Sequence, residues 1–472
     1  MLLKKYILFL WAATMLLLAG CYKDKGNYDY HPINKIYSGI AKDTFVVFQF
    51  DTLNINTGIV QTAPDNAGVS YQWLMYANSG GGRYLLDSTA NLKRLITMTP
   101  AWYTLVFIMK DNKTGVTYDK QLSIKVISAT SEGWMVLENK NTYSDISMIT
   151  PLDSAIYGIY SKANPNVPLS ADAHQLYTYS RGFGQQRILA LSKTGGKELS
   201  TLTFSVLTDI KDWFFVTPAS LAPQIYYVFS TDERLISNGK PYGISTVMPS
   251  PYKLALPPAG NYYMAPYNLS SILGPVFYDT IGQRFYIQDP YTYELMDFRK
   301  EANAGAFEFN KSTGKSMLFA GAGVADNTCC LMQKNNSDSL FVYTFVSAGQ
   351  QNSFGRDVKP LQTAPGLSTA KARFFSLLLP QLYYAVNNEL YLLNLLSGVS
   401  RLIYTFPAGA DVSKITMRIS EPNKLLAGVN NGNAGTVYYF TLDATGEPQG
   451  GKYTTRFDGF GKITDLNYKP AR

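Results

Sequence analysis

From Trp134 to the C-terminus, apolar strand-like clusters built on an aromatic residue recur about every fifty residues. No other feature of the chain limits its fold as much. One anchor from each cluster gives Trp134, Tyr177, Tyr226, Phe285, Phe341, Tyr391 and Tyr438, and successive anchors lie 43 to 59 residues apart. A repeat of roughly 40 to 50 residues without long amphipathic helices is the spacing of propeller blades, small sheets that bury their faces only against neighbours. Seven anchors predict about seven blades over residues 130–472.

The clearest unit runs from Phe374 to Phe406. Phe374-Phe375-Ser376-Leu377-Leu378-Leu379 reads as a strand, Leu382 to Val386 as a second, Glu389 to Asn394 as a third and Arg401 to Phe406 as a fourth. Asn387-Asn388 and Ser397-Gly398 tolerate the positive φ that tight hairpins require. Lys424–Val429 and Thr436–Leu442 repeat this grammar, and the last strands, Tyr453–Phe457 and Ile463–Tyr468, are placed to complete the sheet begun near Gly133.

Residues 36–129 follow a different rhythm, a period of two with turn residues between short apolar runs. Phe45 to Phe48 and Tyr71 to Met75 read as strands, Tyr103, Leu105, Phe107 and Met109 alternate with smaller or outward-facing neighbours, and Asp111-Asn112-Lys113-Thr114-Gly115 reads as a turn before Leu122, Ile124 and Val126. Such a segment closes as a small sandwich around Trp73, with Tyr103 near the start of the penultimate strand. The fold class predicted is therefore all-β, an Ig-like sandwich followed by a β-propeller-like domain.

Composition agrees and removes function classes. Of 472 residues, 35 are Tyr, 25 Phe and 5 Trp, 46% are hydrophobic and only 16% are charged, which excludes a disordered chain. The two histidines, His31 and His174, cannot supply a three-His metal site, and both read as structural. Gly314-Lys315-Ser316 lacks the P-loop glycine at 309, which is Phe309, and reads as a turn. No nucleophile elbow or calcium loop occurs. Asp209 with Asp212, and Asp232 with Glu233, are the nearest carboxylate pairs and read as solvated loop charges. The chain is therefore not expected to be an enzyme.

At the N-terminus, Lys4 and Lys5 precede an apolar stretch from Tyr6 to Leu18 that is too short for an ordinary membrane span, so residues 1–20 read as a signal peptide. The stretch ends in Leu18-Ala19-Gly20-Cys21, which resembles the lipobox of bacterial lipoproteins. That resemblance implies a diacylglycerol on Cys21, the mature N-terminus, followed by a tether over 21–35. No other cofactor is expected. Losing Lys4 and Lys5 lowers the net charge from +8 to +6, and the remaining cations are scattered, which argues against nucleic-acid binding. Cys329 and Cys330 are adjacent, point to opposite faces of a strand and read as two buried or half-buried thiols, with a strained vicinal disulfide as the alternative.

The order Cys21, Tyr22-Lys23-Asp24-Lys25-Gly26-Asn27-Tyr28-Asp29-Tyr30, Trp73, the Tyr103-to-Lys110 strand with Asp111, Lys113-Thr114-Gly115-Val116, and Gly133-Trp134-Met135-Val136-Leu137 resembles the PKD-like family of bacterial outer-membrane lipoproteins. The likeness covers the first 140 residues. It implies a lipid-anchored outer-membrane protein, at the cell surface rather than the periplasmic face. It also implies partnership with an outer-membrane transporter and a SusD-type binding lipoprotein in nutrient uptake.

Two tyrosine-rich loops are the candidate ligand contacts. Tyr262, Tyr263 and Tyr267 in one, and Tyr291 and Tyr293 in the other, carry rings able to stack on sugar faces or peptide side chains. The expected function is non-catalytic binding of glycan or peptide in support of an uptake complex. The rival readings are a propeller glycosidase or lyase, and a structural scaffold of a membrane complex.

Overall fold

The computed structural model describes Trp11 and residues 33–64, 68–180, 186–230, 232–245, 252–270, 272–289, 292–299 and 305–471. The expected signal peptide, Cys21 and His31 lie outside the described residues. Among the described residues, no helix is long and apolar enough to cross a membrane. The chain divides into two compact units. The first comprises the described residues up to Phe45, with Leu53–Arg94 and Trp102–Lys125; the second comprises Val46–Thr52, Leu95–Ala101 and Val126 onward.

The first unit is built mainly on a five-stranded sheet in the order Thr44–Phe48, Thr117–Ile127, Ala101–Asp111, Val69–Ala77, Arg83–Asp87, of which Val46–Phe48, Ala101 and Val126–Ile127 are assigned to the second unit; two short two-stranded ladders accompany it. The alternation read from sequence is the burial pattern observed: Tyr103, Leu105, Phe107 and Met109 are all buried. Trp73, paired across the strands with Phe107, stacks on it at 4.1 Å and donates its indole N–H to Thr89 O. The turn at Asp111 is pinned by its own carboxylate. Oδ1 accepts the N–H groups of Lys113 and Thr114, and Oδ2 accepts from Asn34, while Gly115 takes φ 73°.

In the second unit, the described residues from Gly133 onward form seven successive antiparallel sheets, five of four strands and two of three. The seven aromatic anchors fall one in each. Buried clusters join every sheet to the next, and a further cluster of Trp134, Val136, Leu426, Val437 and Phe460 joins the seventh to the first. Each sheet thus buries its faces against two neighbours, which is why none needs a helix or a disulfide.

The sixth sheet is a meander of Ala372–Phe375, Gln381–Val386, Glu389–Asn394 and Val399–Thr405. Asn387 and Gly398 adopt positive φ at its hairpins. Its first strand stops earlier than the apolar run suggests, because Ser376 Oγ accepts the N–H groups of Leu378 and Leu379 and draws the chain into a turn before Pro380. At the C-terminus only one of the two expected strands joins the first sheet. Lys462–Lys469 pairs antiparallel with Gly133–Asn139, whereas Thr455–Phe460 stays in the seventh sheet beside Ala434–Thr441.

Candidate functional site

A cleft of about 650 Å3 lies in the second unit, within the size range of small-molecule sites. Three segments build it: Phe48–Asp51, Ser128–Glu132 and Thr150–Tyr157, with Lys162 at its margin. All its lining residues belong to the second unit. The first segment is fixed by Phe50, held at φ 70° with its ring buried edge-on against Phe204, and by the turn bond from Asp51 N–H to Phe48 O. The third is a tight turn in which Thr150 N–H reaches Ser154 O and Asp153 takes φ 53°, ahead of the edge strand Ala155–Ile156.

The lining is mixed in a way suited to an amphipathic ligand. Phe48 is 47% exposed and Tyr157 40%; Tyr157 donates to Asp458 O and packs its ring against Phe460 at 5.3 Å. Asp51 and Glu132 bring two carboxylates and Lys162 one ammonium. Gln49 is buried in the wall at 2% exposure; its amide N–H donates to Thr97 O, and its carbonyl Oε1 has no partner within the protein. That oxygen is enclosed by the protein and offers no surface to the cleft.

A second, smaller hollow of about 100 Å3 shares Thr150 and Pro151 with the cleft. Here the Arg418 guanidinium lies 3.4 Å from the centre of the Tyr468 ring, and Glu421 pairs with Arg418 at 3.2 Å and with Lys424 at 3.3 Å. Tyr468 donates its hydroxyl to Glu132. Burial, with the Glu132 carboxylate beside it, pushes the Tyr468 phenol up to about 12, so it stays a protonated donor at neutral pH.

The tyrosines picked from sequence do not converge on either hollow. Tyr262 is a core residue, 5% exposed among Ile236, Met264 and Phe277, with its hydroxyl given to Pro258 O and Lys240 over its ring. Its role as a ligand contact is therefore corrected: turn residues around it hid an inward side chain. Tyr263 is exposed, with its hydroxyl accepting from Gln224. Tyr267 is half-buried, donates to Leu318 O and packs edge-on against Phe319, so its ring is committed to the protein. Tyr293 is half-buried beneath the Arg234 guanidinium. Tyr291 lies outside the described residues.

Other sequence candidates serve structure. Asp232 and Glu233 are not solvated loop charges but buried strand residues, the first paired with the fully buried Arg234, the second accepting from Tyr226. Asp209 caps a short 3-10 turn; although burial pushes its carboxyl up, Lys197 at 2.6 Å and the Lys211 N–H outweigh that and hold it below its usual range. Cys329 and Cys330 are free, buried and turned into different clusters. Among the described residues no group of three His, Cys, Asp or Glu side chains is placed to hold a metal. The cleft residues were missed because three segments up to a hundred positions apart supply them, with no local motif beyond turn residues.

All the residues lining the larger cleft fall inside one family match. Residues 21–168 match the PKD-like family. The PKD-like segment thus includes the sandwich strands and three of the four strands of the first sheet of the second unit. No curated protein matches the whole sequence significantly. Among solved structures, a quinonprotein alcohol dehydrogenase-like protein from Bacteroides thetaiotaomicron is 10% identical, covering 92% of this chain and 99% of its own, with a TM-score of 0.52. That likeness shows fold alone, a propeller-like all-β arrangement following the PKD-like segment. Virginiamycin B lyase from Staphylococcus aureus is 10% identical over 61% of this chain and 84% of its own at a TM-score of 0.38, too distant to carry an argument.

Proposed function

We propose that this chain is a non-catalytic binding protein of the cell envelope, anchored by lipid at Cys21, in which a PKD-like sandwich precedes a propeller of about seven blades. The observation that carries the binding reading is the 650 Å3 cleft, which sets two partly exposed aromatic residues, Phe48 and Tyr157, beside the carboxylates of Asp51 and Glu132. Seven successive sheets, with a buried cluster between the last and the first, support the blade count. Capture of a glycan or peptide for an outer-membrane transporter and a SusD-type lipoprotein is the role that fits an anchored module of this kind.

The test is recovery of the tagged full-length protein from detergent-solubilised membranes, with co-purifying proteins identified by mass spectrometry and with binding to glycan and peptide panels measured. Recovery with a transporter, or binding to either panel, supports the reading; a lone monomer that binds nothing overturns it. Metabolic labelling with palmitate tests the anchor separately. Label that disappears in Cys21→Ala, with the protein released from the membrane fraction, is the expected result.

A further inference from the structure

Three large apolar side chains stand in water together on the second unit, on segments that take no part in the cleft. Phe215 is 63% exposed, Val216 60% and Leu256 64%. Single exposed apolar residues are ordinary, whereas a group of them marks a surface that meets something. Backbone bonds hold this group together. Leu254 N–H donates to Trp213 O and Phe215 N–H to Leu254 O, so two segments run side by side, and Val216 and Leu256 each follow the bridged pair Phe214 and Leu254 by two positions. The exposure is not slack in the chain. Trp213, Phe214 and Leu254 are buried in one cluster, Trp213 gives its indole N–H to Thr208 Oγ1, and Pro218 and Pro257 stiffen the two segments beyond.

Charge and tether length point to what covers the patch. Lys211 is exposed, and Lys253 is half-buried with its ammonium donating to Asp212 O. On the same two segments Asp209 is already matched by Lys197 at 2.6 Å, which leaves Asp212 as the one acid against two lysines. Aromatic and aliphatic side chains flanked by lysines suit the headgroup layer of an anionic bilayer, where rings and methyls enter the acyl boundary and ammonium groups meet phosphates. With a lipid on Cys21, the twelve residues 21–32 ahead of Ile33 reach at most about 40 Å, so an anchored chain always has a lipid surface close by.

We propose, building on the lipid-anchored reading, that Phe215, Val216 and Leu256 enter the headgroup layer of an anionic membrane, with Lys211 and Lys253 against its phosphates. The test is co-sedimentation of residues 21–472 carrying Cys21→Ser, which takes no lipid, with vesicles of phosphatidylcholine alone or mixed with phosphatidylglycerol. The parent should bind the mixed vesicles, and less so as salt rises. Phe215→Ser, Val216→Ser and Leu256→Ser combined should weaken that binding about tenfold or more. Lys211→Gln with Lys253→Gln should weaken it about tenfold, on the mixed vesicles only, and keeps the test decisive if the apolar variant fails to fold. Leu396→Ser, at a comparably exposed leucine of the sixth sheet, should change nothing.

These responses, with thermal midpoints unchanged, support the proposal. A parent that ignores both kinds of vesicle overturns it, as does binding that the patch substitutions leave intact or that Leu396→Ser lowers as much. Loss of a co-purifying envelope protein in the apolar variant, where the parent does not bind vesicles, also overturns it and gives the patch to a protein partner. Palmitate labelling of Cys21 reads the anchor separately, so failure of the anchor and failure of the patch are told apart.

Discussion

Asp465 Oδ2 accepts the backbone N–H of Leu176 at 2.8 Å, across 289 residues of sequence. The other oxygen of the same carboxylate meets Lys414 Nζ at 2.7 Å. One buried side chain on the last strand therefore ties together the first strands of the second and seventh sheets. Asn467 repeats the device by accepting from Thr178, and Gln175 passes it on by bonding both the N–H and the carbonyl of Tyr226. An edge strand facing its neighbours would otherwise carry unpaired backbone groups, and these side chains satisfy them.

Asp465→Ala leaves the Leu176 N–H and the Lys414 ammonium without their partner. Because Lys414 is 39% exposed and water can take over its charge, the expected loss is about 2 kcal/mol, below the figure for a fully buried pair. Asp465→Asn, which keeps an acceptor for Leu176, should lose less. Urea unfolding midpoints of the three proteins check the order.

Asp145 is buried beside Glu138, its cross-strand partner in the first sheet. Burial, with the Glu138 charge adding to it, raises the Asp145 carboxyl above its usual range in spite of N–H donors from Ile146 and Ser161. A raised folded-state pKa means that the folded protein holds the proton more tightly. The contribution of this group is thus fully present below the unfolded pKa, about 3.8, and is lost as pH rises through the folded value. Asp145→Asn, whose amide oxygen can still accept both N–H groups, should raise neutral-pH stability relative to the parent and remove that part of the pH dependence. Urea titrations between about pH 4 and 7 measure the difference.

Gly133 opens the first sheet at φ 146°, and a Cβ added there would lie 2.4 Å from Ile149 O, against backbone that cannot yield. Gly133→Ala is expected to cost about 2 kcal/mol or more. The thermal midpoint of the variant should fall, and an unchanged midpoint would mean that the strand start relaxes without strain.

Burial pushes the Cys329 thiol up to about 11 and the Cys330 thiol well above its ordinary value. Neither is a thiolate at neutral pH, and only the thiolate attacks a disulfide reagent. In a Cys21→Ser background without reductant, Ellman's reagent should react negligibly with the native protein and with two thiols after unfolding in urea. Failure to find two in the unfolded chain would reveal a disulfide.

The sequence by itself determined the local β grammar. Alternation at Tyr103, Leu105, Phe107 and Met109 specified one face of a sheet, because side chains on a strand alternate with period two whatever surrounds them. Asn387 and Gly398 marked hairpins through the φ they tolerate, and the aromatic anchors marked successive sheets because each sheet needs a large residue to fill the space to its neighbour. Only the tertiary structure decided where side chains at loops and joins would go. Tyr262 and Tyr263 are adjacent in sequence, yet one fills a core and the other meets solvent. Asp465 lies inside the expected strand Ile463–Tyr468 with nothing local to mark it, and only folding sets it against Leu176 and Lys414. The cleft likewise exists only where Gln49, Glu132 and Tyr157 are brought together, since long-range packing places residues that no local pattern links.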